Sequence, residues 1–347
     1  MQSSYKILTL SGISIEIHWS FLAFMFFLLL FSPVLMILLL LVFSFVTLHE
    51  LCHSIIAIRN KIKVKKIILL PIGGMAVMNI TRIKPSKEIK MAIAGPLFNF
   101  LMAGLLFILI KSIGLDFSKA FDIITSMKLS LELVLFYSYY ANLLLGGFNL
   151  LLPAFPLDGG RILRAIIAYK TSYLKATLIA RNISLGISIT LLILSLLSQN
   201  YWISIISIFI MFGAISEYEN LKLQLSLKRA KVKQLIRKDF LKVRPKEKIL
   251  DNIGKLLEKG TLTVIVTSKP VKIADVRKIE KLTPDLTFDM IGVTAPRITP
   301  NSSLMTAFVK MQEKEVAMLP VFSGKRIIGV ITLPDIERYR IIKSLLK

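Results

Sequence analysis

Residues 17–48 read IHWSFLAFMFFLLLFSPVLMILLLLVFSFVTL and run directly into His49-Glu50-Leu51-Cys52-His53. These 32 residues contain no Asp, Glu, Lys or Arg. As one helix they would extend about 48 Å at 1.5 Å per residue, against a hydrocarbon layer of about 30 Å. One pass cannot absorb that length. Ser32-Pro33 supplies the break, because proline starts helices far more readily than it continues them, and two passes result. The same reasoning places a third pass over Met91 to Ile110 and a fourth over Leu133 to about Leu152. The long apolar run from Asn182 to Ser216, split at Ser198-Gln199-Asn200, supplies the fifth and sixth.

The whole-chain numbers agree with that reading. Hydrophobic residues make up 54% of the 347 and charged residues only 19%, where an ordinary soluble domain carries roughly 25% charged. Charge is also unevenly placed. Residues 1–220 hold 18 Lys and Arg with 9 Asp and Glu in short clusters, whereas 221–347 hold 27 and 12 spread evenly. The expected division is therefore a membrane domain, 1–220, and a soluble domain, 221–347. The net charge of +24 would suggest nucleic acid in a soluble protein. Here the cations fall where topology wants them, so no nucleic-acid partner is expected and the lipid bilayer is. Nine basic residues lie between 59 and 90, with Glu88 as the single acid, and Arg161, Arg164, Lys170 and Lys175 follow pass four. By the positive-inside rule both segments face the cytoplasm. With six passes both termini do too, giving a multi-pass protein of the cell membrane. The lone Cys52 allows no internal disulfide, and the first apolar stretch is longer than the roughly 7 to 15 residues of a signal-peptide core.

His49-Glu50-x-x-His53 closes pass two. Residues four apart share one helix face, so two imidazoles can hold one zinc while the adjacent carboxylate acts as base on the activated water. The chain has only three histidines, which makes this spacing hard to attribute to accident. Arg59 marks the inner interface ten residues on, putting the site roughly 15 Å deep. A catalytic zinc takes three protein ligands and leaves a position open. Glu16, His18 and Asp158 are the candidates for the third. Asp158 is preferred, because Pro153-Ala154-Phe155-Pro156-Leu157-Asp158-Gly159-Gly160 cannot be regular helix, and irregular backbone at that depth lines a cavity or packs in protein.

Together, His49-Glu50-Leu51-Cys52-His53 and Asn149, Pro153, Pro156 and Leu157-Asp158-Gly159-Gly160 resemble the site-2 protease family of intramembrane zinc metalloproteases, peptidase family M50. The likeness is to its prokaryotic branch with a C-terminal pair of CBS domains. It implies that His49, His53 and Asp158 hold Zn2+, that Glu50 is the catalytic base, and that Asn149 positions substrate. Cys52 departs from the glycine that relatives usually carry there and reads as a small packing residue. Gly95-Pro96-Leu97-Phe98-Asn99 is similar to the family's Gly-Pro motif in the third pass and reads first as packing. Residues 63–78, two strand-like runs about a Pro/Gly-Gly turn, resemble the family's membrane-associated sheet beside the active site. An open edge there would suit strand addition by an unwound substrate, and a structural hairpin that seals the cavity is the alternative.

In the tail, Met290-Ile291-Gly292, a helical stretch over 303–314, strands at 317–322 and 327–332 and a closing helix from Pro334 resemble a CBS motif. The expected repeats are 232–280 and 290–343, the first loosely matched. Thr332 and Asp335 match the family's ribose contacts, which implies an adenine nucleotide, and paired CBS motifs imply a homodimer. The expected fold is thus a polytopic α-helical membrane protein of six transmembrane helices with a β-hairpin, followed by a soluble α/β CBS pair. The expected function is an intramembrane zinc endopeptidase acting on membrane-spanning protein substrates. Its rival is a CBS-regulated transporter or channel without protease activity. Transporters often show repeated halves, and residues 1–220 show no such symmetry.

Overall fold

The computed structural model describes residues 4–10, 12–62, 64–78, 83–279 and 283–345. Lys63, Arg82 and Glu280, which enter the sequence-based ranges and charge counts, lie outside the described residues. The chain forms two compact units, Met1–Glu219 and Asn220–Lys347.

The first unit opens with strands β1 (Ser4–Leu10) and β2 (Ile13–His18). The helices α1 (Trp19–Phe31) and α2 (Pro33–Arg59) follow, then strands β3 (Val64–Leu70) and β4 (Gly73–Met78). The remaining helices are α3 (Pro85–Ser112), α4 (Ala120–Ser126), α5 (Leu131–Leu151), α6 (Asp158–Ala168), α7 (Tyr173–Leu197) and α8 (Tyr201–Arg229). Ser32 ends α1 and caps α2: its extended backbone leaves the helix, and its side chain accepts from Leu35 N. Among the described residues, five helices are long and apolar enough to cross a membrane. The expected first pass differs. His18 caps α1 at Trp19, so Ile17 and His18 belong to β2, and the 13 residues left to α1 reach only about 20 Å.

Many large apolar side chains of this unit are exposed, and several polar groups are buried among its helices, as suits a lipid surround. Leu101, Leu105 and Ile108 of α3 are exposed, while Asn99, Ser138, Asn142, Ser184 and Ser188 are buried. Gly146 brings α5 against Asn99 and Phe100 of α3, where a Cβ would lie 3.2–3.3 Å from both. Small residues at such crossings let membrane helices approach closely. The four strands form one sheet in the order β1-β2-β3-β4. β1 and β2 are antiparallel, β2 and β3 parallel, and β3 and β4 antiparallel with Ile67 opposite Ala76 and Leu69 opposite Gly74.

The second unit holds β5 (Lys242–Val243), α9 (Ile253–Glu258), β6 (Thr263–Val266), β7 (Lys272–Asp275), α10 (Phe288–Ile291) and β8 (Val293–Thr294). It continues with α11 (Leu304–Lys314), β9 (Met318–Ser323), β10 (Arg326–Thr332) and α12 (Leu333–Leu345). An internal pseudo-symmetry is visible in the pairing. Residues 237–243 bridge two hairpins: Arg237 pairs antiparallel with Val330 of β10, and β5 runs parallel to β6. Residues 293–298 repeat that pattern, β8 antiparallel to β7 and Ile298 parallel to Val321 of β9. Gly329 permits the first bridge, since a Cβ there would lie 2.4 Å from Ile236 Cγ2. A core of Ile265, Ile273, Leu304, Met311, Leu319 and Ile331 joins the two halves.

Candidate metal centre

His49 and His53 lie one turn apart inside α2, both buried, with ring centroids 4.6 Å apart. Asp158 is the first residue of α6, and its Oδ2 lies 3.2 Å from His49 Nε2 and 3.0 Å from His53 Nε2. The two Nε2 atoms are 3.0 Å apart. Glu50, half-buried, is near enough that its carboxylate and both imidazoles fall within 4.8 Å of one another. Of the other ligand candidates, Glu16 pairs with Lys66 at 2.7 Å and with Ser4, and His18 Nδ1 caps α1. Neither joins this cluster.

The hydrogen bonds behind the imidazoles fix their tautomers. The carbonyl of Met91 can only accept, so His53 Nδ1–H donates to it at 2.6 Å and Nε2 is the nitrogen that faces Asp158. For His49 the direction is set three residues away. Ser138 O can only accept, so Asn142 Nδ2 donates to it. Asn142 Oδ1 then accepts from Asn99 Nδ2 at 2.9 Å, and Asn99 Oδ1 faces His49 Nδ1, which must donate. Both Nε2 atoms and one Asp158 oxygen thus converge on a single point, and neutral imidazoles protonated at Nδ1 present their Nε2 lone pairs there. With the imidazoles neutral, three acceptor atoms so placed suit a cation among them.

The spacing suits a zinc ion. Ligands about 2.0 to 2.2 Å from a tetrahedral zinc sit roughly 3.3 to 3.6 Å apart, close to the observed separations. Metal-bound histidines also typically donate their second N–H to a carbonyl or carboxylate, and both of these histidines donate to carbonyl oxygens. The cradle is completed by Gly95 of α3. A Cβ there would lie 2.4 Å from His53 Nε2 and 2.5 Å from His49 Nε2, so no other residue leaves the site open. Gly95 and Asn99 belong to the stretch the sequence assigns first to packing. Their signal was the Gly-Pro-x-x-Asn pattern itself, one turn apart on a helix, but nothing in the sequence says which helix faces the histidines.

Gly159 and Gly160 seat Asp158. Side chains on them would lie 2.3 Å from Leu152 O and 2.5 Å from Ala154 C, so the irregular segment before α6 folds directly onto its first turn. Over Glu50 runs β4, where a Cβ on Gly74 would lie 2.8 Å from Glu50 Cγ. Asn149 stands apart from this cluster. Its amide donates to Leu145 O at 2.9 Å within α5, and it lines an apolar cavity of about 550 Å³ with Tyr137, Phe148 and Leu157.

The second unit has its own cavity, about 640 Å³, lined among others by Arg237, Lys238, Lys259, Arg277, Thr332 and Arg338. Thr332 Oγ1 donates to Asp335 Oδ2 at 2.5 Å, and the Arg237 guanidinium holds Asp335 Oδ1. The Asp335 carboxylate is thus engaged on both oxygens. Arg277 is tied to Asp275 at 2.7 Å. Burial pushes the Asp275 carboxyl up, but the Arg277 hydrogen bonds and charge outweigh it and hold the group below the usual carboxylate range.

Comparison with known proteins gives the class. The profile of peptidase family M50 matches residues 36–197, and that of the CBS domain matches 292–341. A zinc metalloprotease of Methanocaldococcus jannaschii is 39% identical over 254 residues, 71% of this chain and 69% of that protein. The solved site-2 protease from M. jannaschii is 38% identical and aligns over 62% of this chain and 95% of that one, with a TM-score of 0.46. The chain belongs to peptidase family M50, the site-2 proteases, and is a multi-pass membrane zinc metalloendopeptidase with a C-terminal CBS domain.

Proposed function

We propose that this protein cuts membrane-spanning protein substrates within the bilayer, with zinc held by His49, His53 and Asp158 and with Glu50 as the general base. The carrying observation is the convergence of two imidazole Nε2 atoms and one carboxylate oxygen, 3.0–3.2 Å apart, beside Glu50. Zinc supplies Lewis acidity there, polarising a peptide carbonyl and acidifying water. Glu50 takes the proton of the attacking water on its carboxylate and delivers it to the leaving amide nitrogen. Asn99 and Met91 hold the imidazoles in the tautomer that keeps Nε2 bare, and Gly95 keeps the space before them clear.

A transmembrane substrate hides its peptide bonds in helical hydrogen bonds and must unwind before attack. β4 is the edge of the sheet, with one neighbour, β3, among the described residues. Gly74 brings this strand against Glu50. An unwound segment pairing with β4 would lie beside the base as an added strand. Asn149 is assigned to substrate positioning beside the apolar cavity it lines. The basic residues between Arg59 and Lys90 support a cytoplasmic position for that segment, and the four long apolar helices that follow it would return the C-terminus to the same side. In the CBS unit the cationic cavity suits an anionic adenine nucleotide contacting Thr332, as a regulatory ligand.

The test is Glu50→Gln in the full chain with a transmembrane substrate. Zinc content should equal that of the parent while cleavage falls by about 10²- to 10⁴-fold or more, the scale of general acid–base catalysis. Retained cleavage would remove Glu50 as base, and lost zinc would make it a ligand instead.

A further inference from the structure

Arg164 enters the sequence as one of the cationic loop residues after pass four, yet its side chain is only 7% exposed. It lies on α6, six residues and about 9 Å along the helix from Asp158. Its Nε donates to Glu88 Oε1 at 2.8 Å, with Nη2 on the same oxygen. Its Nη1 donates to Glu217 Oε1 at 2.7 Å. The guanidinium also stacks between the rings of Phe155 and Tyr173, 5.0 and 4.9 Å from their centroids, and the Tyr173 hydroxyl donates to Glu88 Oε1. One buried guanidinium therefore ties α6 to α3 and α8 while packing on the segment before α6 and on the start of α7.

The helix it ties down matters. Glu88, Met91 and Gly95 fall on one face of α3 at i, i+3 and i+7, and Met91 and Gly95 are the groups that hold and frame the two imidazoles. Asp158, in contrast, reaches the site on an eleven-residue helix that follows Pro153 and Pro156, with no regular element carrying it in. Where its carboxylate sits depends on the close packing of Gly159 and Gly160, on Arg161 Nη1 3.8 Å from Oδ1, and on how α6 is seated against α3. Arginine suits that task better than lysine, because its planar fork engages several acceptors in fixed directions and stacks on aromatic faces. A network of this kind adds little stability over well-packed apolar residues of the same volume, although removing one partner is strongly destabilising.

We propose that Arg164 is a positioning residue for the metal centre: through Glu88 and Glu217 it seats α6 so that Asp158 meets His49 and His53. This rests on Asp158 being a zinc ligand, as proposed above. The test is zinc affinity by chelator competition in full-length protein, for the parent, Arg164→Lys, Asp158→Asn and the double variant. Arg164→Lys keeps the charge and should lower affinity by about tenfold or more, the scale seen for outer partners of metal ligands. In the Asp158→Asn background the same change should alter affinity by less than about twofold, because coupled residues are non-additive. Unchanged affinity in Arg164→Lys, or additive losses, would overturn the proposal. Parent-like affinity in Asp158→Asn would overturn the ligand assignment and this inference with it. Should Arg164→Lys not fold, Glu217→Ala removes the α8 tie at a more exposed position, and its loss should likewise vanish in the Asp158→Asn background; an equal loss in both backgrounds would overturn the proposal.

Discussion

Gly95→Ala isolates the metal centre from the fold. The added methyl carbon would lie 2.4 Å from His53 Nε2, 2.5 Å from His49 Nε2 and 2.7 Å from His49 Cδ2, so relief at ordinary van der Waals distance requires the rings to retreat by about 1 Å. They are not free to do so. His53 is held by Met91 O at 2.6 Å and His49 by Asn99 Oδ1, and moving either ring breaks a bond that fixes a proposed ligand. Loss of one such partner lowers metal affinity by about 10- to 100-fold, or about 1.4 to 2.7 kcal/mol. The intrinsic helix preference of α3 changes in the opposite direction, since alanine is favoured over glycine in a helix interior by about 1 kcal/mol. The expected signature is therefore a protein that stays folded but binds zinc at least tenfold more weakly, with cleavage falling accordingly. Chelator competition gives the affinity, and thermal unfolding of the zinc-free protein gives the stability. A Gly95→Ala protein that binds zinc within twofold of the parent and cleaves normally would refute the geometry. One that simply fails to fold would show that the packing role of Gly95 dominates.

Other outcomes follow from the same structure. Asn99→Leu removes the acceptor for His49 Nδ1–H and should weaken zinc binding by about 10- to 100-fold, with Asn142→Leu showing a smaller loss in the same assay. If the cationic cavity of the CBS unit takes a nucleotide, calorimetry with ATP on the full chain should show saturable binding that Lys238→Glu weakens; no heat of binding would leave that cavity without the regulatory role.

Much of the candidate site is readable in the sequence because it is local. His49, Glu50 and His53 fall on one helix by spacing alone, and the two prolines and two glycines around Asp158 forbid a plain helix there. Ser32-Pro33 marks a helix break for the same reason, since capping and proline geometry act over a few residues. What cannot be read is tertiary. The relay from His49 through Asn99 and Asn142 to Ser138 O joins α2, α3 and α5, and no sequence interval encodes it. Arg164 and Glu88 look like interface charges in a string of residues and become a buried pair only when α3 and α6 meet. The N-terminus does carry a local signal that the long apolar run obscures. Ile13, Ile15 and Ile17 alternate with Ser14, Glu16 and His18, the period-two pattern of a half-buried strand. That alternation marks β2 and shortens the first helix.

The most direct test of the central claim is X-ray absorption at the zinc edge on the purified full-length protein. One zinc per chain is expected, with two imidazole nitrogens at about 2.0 to 2.1 Å and a carboxylate oxygen at about 2.0 to 2.2 Å. Asp158→Asn should change the oxygen shell while both nitrogens remain. A zinc shell without histidine nitrogens, or one indifferent to the change at Asp158, would contradict the account.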